Sequence, residues 1–272
     1  MKAVITAAGL SPKFMPYAGT IPKEMFPVGR KPAIHHVVAE AVSSGVDDIL
    51  IVVGQGRRCI QDYFECGLFN KCKKDGVGKT DAVDMEGIEL PPIHYITQES
   101  PNGLGNVLLC ARKHVGDETF ALLLGDDVVM GGDDSALSQL IMCHRGSGKM
   151  VVGVEKSQRR PPTRGAVVKG DMISPAPPTF LIDRITRKAM GHNTERMLTM
   201  GRYILPPTIF HILEEEKNRG EDDFGKLELL HAMDNIAMTE GGMAVEVEGK
   251  RYDMGSPEDV IEANRIAWKL PR

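Results

Sequence analysis

Three carboxylates and two lysines carry the most chemistry in this sequence. Asp126 and Asp127 follow the apolar run of "TFALLLGDDVVM", and Asp253 follows another in "RYDMGSP". Carboxylates placed directly after buried strands can hold Mg²⁺ through their oxygens, with phosphates and waters completing the octahedron. The same residues can equally serve as turn residues. Lys13 and Lys23 lie in "TAAGLSPKFMPYAGTIPKEMFP", directly behind the apolar start "MKAVI". A tight turn after a strand presents backbone N–H groups, and lysines beside it can neutralise phosphate. The stretch is not a Walker loop, because GxxxxGK[ST] is absent, and Gly9-Leu10-Ser11 breaks the GxGxxG fingerprint. An ordinary surface turn accounts for the same residues. In "QESPNGLGNV", Gln98 offers a donor and an acceptor on one amide, while Gly103 and Gly105 would let backbone approach a flat ligand. That combination suits the edge of a pyrimidine.

The elements that must position these residues alternate in type. "KAVITAA" and "DDILIVVG" read as strands covered on both faces. Between them, "KPAIHHVVAEAVSSG" places Ile34, Val37, Val38, Ala41 and Val42 on one helical stripe, with Gly45 as its stop. A helix follows from about Arg57 to Phe64, then strand "IHYIT", helix "LGNVLLCARKHV" and strand "TFALLL". This β-α-β-α-β order predicts an α/β fold with a doubly wound, mostly parallel sheet, which binds ligands beyond the carboxyl ends of its strands. Both the opening loop and Asp126 fall at that edge.

The second half reads as strands in "GKMVVGVEK", "RGAVVKGD", "PPTFLIDRIT" and "MLTMGRYIL", helices at Thr208–Lys217 and Gly225–Met238, then a strand, a turn and a terminal helix opened by Ser256 and Pro257. A small antiparallel sheet region is thus inserted into the parallel one. The economical organisation is one domain over 1–272, with the regular alternation in 1–130 and the more mixed pattern and terminal helix in 131–272. Residues Cys66 to Pro92, rich in Gly, Lys and Asp, read as a surface excursion.

Composition narrows the classes. The chain has 272 residues and a net charge of −4, which gives no basis for a nucleic-acid partner. No run approaches a membrane span. Five cysteines, odd in number and without a CxxC pair, fit a reduced, cytoplasmic setting. His35, His36 and His231 fall in expected helices and read as structural.

In order and spacing these pieces resemble the bacterial and archaeal UTP–glucose-1-phosphate uridylyltransferases, within the sugar-1-phosphate nucleotidyltransferase family. The resemblance covers nearly the whole chain and is clearest in "AAGL", "IPKEMFP", "GLGNVLLCA", "FALLLGDD", "GRYILPPTIFHILEE" and "RYDMGSPEDVIEANR". It implies UTP and a sugar 1-phosphate as partners and Mg²⁺ as cofactor, and leaves a homo-oligomer open. By the same resemblance Ala8, Gly9 and Leu10 would face the nucleotide, with Gln98 and Gly103 reading the base. Lys13 and Lys23 would lie on phosphate, Asp126 and Asp253 would hold the metal, and Arg184, Gly201 and Lys226 would meet the sugar phosphate. Three departures stand out. Gly9-Leu10-Ser11-Pro12-Lys13 replaces Gly-Leu-Gly-Thr-Arg, so a lysine stands for a bidentate arginine and a proline removes a backbone donor. Asp183-Arg184-Ile185 stands where the family has Glu-Lys-Pro. Lys226 stands where it has a glutamate that grips glucose hydroxyls. A non-catalytic nucleotide-binding paralogue, or an enzyme using another sugar or dTTP, therefore remains as an alternative.

Overall fold

The apolar opening run forms a strand at the heart of a nine-stranded mixed sheet. A computed structural model describes residues 1–65, 90–99, 102–157, 165–187, 196–219 and 227–269. Its strands are β1 (Lys2–Ala7), β2 (Pro27–Val28), β3 (Lys31–Pro32), β4 (Asp48–Gly54), β5 (Ile93–Gln98), β6 (Phe120–Leu124), β7 (Asp127–Met130), β8 (Met150–Ser157), β9 (Val167–Pro175), β10 (Pro178–Thr186), β11 (Arg196–Leu205), β12 (Gly242–Glu246) and β13 (Lys250–Asp253). The helices are α1 (Ala33–Ser43), α2 (Arg58–Glu65), α3 (Gly103–Val115), α4 (Ala136–Ser147), α5 (Thr208–Arg219), α6 (Leu229–Thr239) and α7 (Pro257–Ala267).

The main sheet runs β5-β4-β1-β6-β11-β8-β12-β10-β9. Its first four strands are parallel to one another, and β12 is parallel to β8. Strands β11, β9 and β10 enter antiparallel, which is the inserted region expected from the sequence. Two short antiparallel pairs, β13–β7 and β2–β3, stand apart from it.

Alternation along β1 explains why the sheet is wound on both sides. Val4 faces a core shared with α3, α5 and α6, whereas Ala3, Ile5 and Ala7 face one shared with α1, α2 and α4. Successive strand residues point to opposite faces, so a strand apolar at both parities must be covered twice. On the first face Phe120 and Phe210 stack with ring centroids 5.3 Å apart. A third, smaller cluster joins Val28, Val128, Tyr252 and Ala263, packing α7 against the short strand pairs.

The elements expected in the first half appear within two residues of their expected ends. The sequence reading assigned nothing to 131–147, yet α4 is well defined. Ser135 caps it by accepting from the Ser138 N–H at 3.1 Å, and Gly148 ends it in the left-handed conformation. The expected cap at Ser256 is present, its hydroxyl accepting from the Asp259 N–H. The single strand read in "GMAVEVEGKRYD" is two, β12 in the main sheet and β13 against β7. The excursion read at 66–92 lies almost wholly outside the described residues, as does Lys226.

Candidate active site

Strands β1, β4, β5 and β6 end side by side, and the segments leaving β1, β5 and β6 form one wall of an open cleft of about 990 Å³. The first loop, after β1, is not a glycine turn. It winds through three short 3₁₀ turns at Pro12–Phe14, Tyr17–Gly19 and Lys23–Met25. Phe26 packs edge-on to Phe14, with centroids 4.8 Å apart, and against Tyr17. Arg57, just before α2, fastens this loop from outside. Its guanidinium donates to the carbonyls of Ala7 at 3.1 Å and Gly9 at 2.7 Å, and to Glu24 Oε2 at 3.1 Å.

The carboxylates converge from two directions. Asp126 and Asp127 follow β6, and β13 pairs with β7 so that Asp253 stands opposite Asp127. The Met254 N–H donates to the Asp126 carbonyl at 2.9 Å, locking the two segments together. All three side chains are buried, and one oxygen from each lies within 4.8 Å of the others. Lys23 donates to Asp126 Oδ2. Arg251 lies behind the cluster, with Nε 3.0 Å from Asp127 Oδ2, Nη1 3.3 Å from Glu155 Oε1 and Nη2 4.0 Å from Asp253 Oδ2.

Electrostatics follow from this crowding. Burial pushes the Asp127 carboxyl up to about 7; Arg251 opposes the rise, while Asp126 and Asp253 add to it. Glu24, also buried, is likewise pushed up to about 7, with Lys23 and Arg57 opposing and Asp126 adding. For Lys23, burial alone would lower the ammonium's value, but Asp126, Glu24 and Asp253 outweigh it and raise it. Lys23 therefore stays charged. Asp127 Oδ2 is held by the Arg251 guanidinium. Three hard oxygen donors gathered in one buried place fit a hard divalent cation better than a turn.

Below the cluster, Arg202 is fully buried beneath Asp127. It donates to Glu40 at 2.9 and 2.7 Å and to the Asp127 carbonyl at 2.8 Å. Burial would lower its value, and Glu40 and Asp127 more than compensate.

The cleft's other wall comes from β11 and the segment before α6. A Cβ on Gly201, whose φ is +73°, would lie 2.3 Å from Asp127 Oδ2. Only glycine lets β11 pass over the acidic cluster. Gly103, with φ +87°, is in a similar position, since a Cβ there would lie 2.4 Å from the Leu227 carbonyl oxygen. The Gly105 N–H donates to that same oxygen at 3.0 Å.

Comparison with known proteins bears on this arrangement. The family model described as Nucleotidyl transferase matches residues 2–269. The chain belongs to the nucleotidyl transferase family. It is 37% identical over 268 residues to the UTP–glucose-1-phosphate uridylyltransferase YngB of Bacillus subtilis, covering 97% of this chain and 88% of that one. It is 35% identical over 257 residues to UTP–glucose-1-phosphate uridylyltransferase 2 of Staphylococcus saprophyticus, covering 93% and 87%. Among solved structures, a UDP-glucose pyrophosphorylase complexed with UDP-glucose superposes with a TM-score of 0.85 at 29% identity, over 98% of each chain. A UTP-bound pyrophosphorylase from Acinetobacter baumannii gives 0.84 at 27%, over 100% of this chain and 94% of that one.

For a nucleotidyl transferase, the expected residues are placed unevenly. Ala8, Gly9, Leu10, Lys23, Gln98, Gly103, Asp126, Gly201 and Asp253 all line the cleft. Gln98 is oriented by its amide donating to Asn106 Oδ1 at 3.0 Å. The glycines of "NGLGN" also admit the Leu227 segment of the second half. Lys13 is exposed on the first 3₁₀ turn and does not line the cleft, although Pro12 does.

Arg184 is not brought in. The pairing of β10 with β9 shifts register between Ile182 and Arg184, and Arg184 leaves the cleft to pair with Asp234 of α6 at 3.1 Å. Arg187 does line the cleft, in an ion pair with Glu228. Sequence reasoning missed Glu24, Arg57, Arg187, Arg202, Glu228 and Arg251. Only Glu228 carried a signal, as a second carboxylate near the position where the family places its glutamate.

Proposed function

We propose that this chain transfers a uridylyl group from UTP to glucose 1-phosphate, giving UDP-glucose and pyrophosphate. The observation that carries the reading is the buried Asp126–Asp127–Asp253 cluster with Lys23 against it, set in a cleft of nucleotide-sugar size. Relatives named as uridylyltransferases and a structural neighbour named as a UDP-glucose pyrophosphorylase extend over nearly the whole chain. The two walls are then the nucleotide and sugar halves of a single domain.

Each residue takes a definite task. Backbone at Ala8, Gly9 and Leu10, with Gln98 and Gly103, holds the uracil. Uracil and thymine share the edge that Gln98 would read, and the uridylyl relatives favour UTP over dTTP. Asp126 and Asp253 would hold Mg²⁺, which would supply charge neutralisation on the phosphates. An oxygen of the sugar phosphate bonds to the α-phosphorus in line, and the bond from that phosphorus to the bridging oxygen breaks. The electron pair leaves with pyrophosphate. Nothing in this needs a covalent enzyme intermediate, so positioning and charge neutralisation supply the rate. Lys23 has the position and the retained charge to face the phosphates. Lys13, on the exposed turn, meets the departing pyrophosphate from the solvent side. Arg187 and Glu228 grip the sugar phosphate, the guanidinium on phosphate and the carboxylate on hydroxyls, in the roles first expected of Arg184 and Lys226.

Pyrophosphate release with Mg²⁺ and UTP, measured across a panel of sugar 1-phosphates, tests this directly. Turnover should require both substrates and be fastest with glucose 1-phosphate. UTP bound in calorimetry without any release would make this a nucleotide-binding paralogue instead.

A further inference from the structure

At the opposite end of the parallel strands lies a second cluster that the transfer reaction does not use. Asp48 is the first residue of β4, His94 the second of β5, and His114 sits in the last turn of α3. The register explains the meeting. His94 pairs with Leu50, which shares a sheet face with Asp48, and that face is the one α3 packs on. His114 Nε2 lies 3.0 Å from Asp48 Oδ1, and His94 Nε2 lies 3.6 Å from the same oxygen. The two imidazoles are 4.9 Å apart between centroids. Among the described residues this is the one group besides the acidic cluster whose ligand atoms all lie within 4.8 Å of one another.

We propose that Asp48, His94 and His114 bind a divalent transition metal of the Zn²⁺ type. Bonds of about 2.0–2.1 Å in tetrahedral geometry set ligand atoms about 3.3 Å apart. The two imidazole-to-Asp48 separations straddle that value. Closing the remaining distance needs a small movement of His94, whose side chain is 53% exposed and can make it. The alternative is a simple hydrogen bond holding the end of α3. That explains His114 on Asp48, but not a second imidazole directing its nitrogen at the same oxygen.

Two imidazoles and one carboxylate select Zn²⁺, Ni²⁺ or Co²⁺ over the hard Mg²⁺ suited to an all-carboxylate cluster. Lys2, which stands opposite Asp48 in the β1–β4 register, is committed elsewhere, to Glu118 at 2.8 Å and the Val115 carbonyl at 3.1 Å. Three protein ligands leave a fourth position for water. From His94 to Gln98, the β5 residue that lines the cleft, is four residues of strand, roughly 13 Å. The site is thus separate from the transfer chemistry, and it ties together β4, β5 and α3, two of which carry Gln98 and Gly103 at their far ends.

Zn²⁺ titration of the metal-free protein by calorimetry tests this, run on wild type, His94→Gln, His114→Ala and Asp126→Asn. One Zn²⁺ per chain with a micromolar Kd is expected in wild type and in Asp126→Asn, weakened at least about tenfold in both histidine variants. Co²⁺ should give the intense visible absorption of a four-coordinate ion, lost in His94→Gln. Because His94 is more than half exposed, His94→Gln keeps the fold even if His114→Ala does not. Equal binding by wild type and His94→Gln, loss of the Zn²⁺ site in Asp126→Asn, or wild-type binding no tighter than millimolar would each overturn the assignment.

Discussion

Arg202 offers the sharpest test of how the acidic cluster is supported. Its guanidinium is wholly buried and meets Glu40 through two hydrogen bonds, while also holding the Asp127 carbonyl. Replacing it by methionine fills most of the volume but leaves the Glu40 carboxylate buried, with the Leu137 N–H at 3.0 Å as its remaining donor. Removing one partner of a buried ion pair costs about 3–5 kcal/mol, because an uncompensated charge is left behind. With an unfolding entropy of about 2.1 cal/mol/K per residue, that is a fall in Tm of about 5–9 °C for a chain of this length. The double variant Arg202→Met/Glu40→Gln removes the stranded charge, and its amide oxygen can still accept from Leu137. It should therefore be more stable than the single variant, though below wild type, since the Asp127 carbonyl still lacks its donor. Urea titration of wild type, Arg202→Met, Glu40→Gln and the double variant gives the coupling directly. If Arg202→Met cost less than about 1 kcal/mol, or if the double variant were the less stable of the two, the pair would not be the support described.

Three further outcomes are expected at the cleft. Asp126→Asn should lower Mg²⁺-dependent pyrophosphate release at least about 100-fold while the protein stays folded by circular dichroism, as for loss of one group that stabilises transition-state charge. The Glu24 carboxyl, raised to about 7 chiefly by burial, stabilises the fold fully below its ordinary value of 4.5, and that stabilisation is lost as pH rises through 7. Metal-free wild type should therefore lose stability relative to Glu24→Gln between pH 5 and 7.5, and a pH-independent gap between their urea midpoints would contradict this. Arg187→Ala should raise KM for the sugar phosphate about tenfold and leave KM for UTP unchanged; the reverse pattern would put Arg187 on the nucleotide.

Much of this fold is written in apolar parity. Strands β1, β4 and β6 are apolar at both parities because helices cover both faces, and that pattern needs no partner to be read. Asp126 and Asp253 were legible for a similar reason, each a carboxylate directly after a strand. The cations around them were not. Arg57, Arg202 and Arg251 are ordinary surface residues until the chain brings Glu24, Glu40 and Asp127 to them from distant segments. Gly103 was recognised, but its cause lay in Leu227, more than a hundred residues on. Arg184 was drawn to the cleft by motif order, and the register shift in β10 that turns it toward Asp234 has no signature in a single sequence.

Arg57 bears on the oddest part of the sequence, the Ser11-Pro12-Lys13 stretch. By gripping the carbonyls of Ala7 and Gly9 and the carboxylate of Glu24, it holds both ends of the first loop from a different segment of the chain. A loop fixed at its two feet is a bracket whose arch can be rebuilt. Residues 10–22 are then free to exchange glycine for serine, threonine for proline, or arginine for lysine, without moving Lys23 or the backbone at Ala8. Variation in the arch would tune how pyrophosphate leaves, while the feet keep the place where it is made.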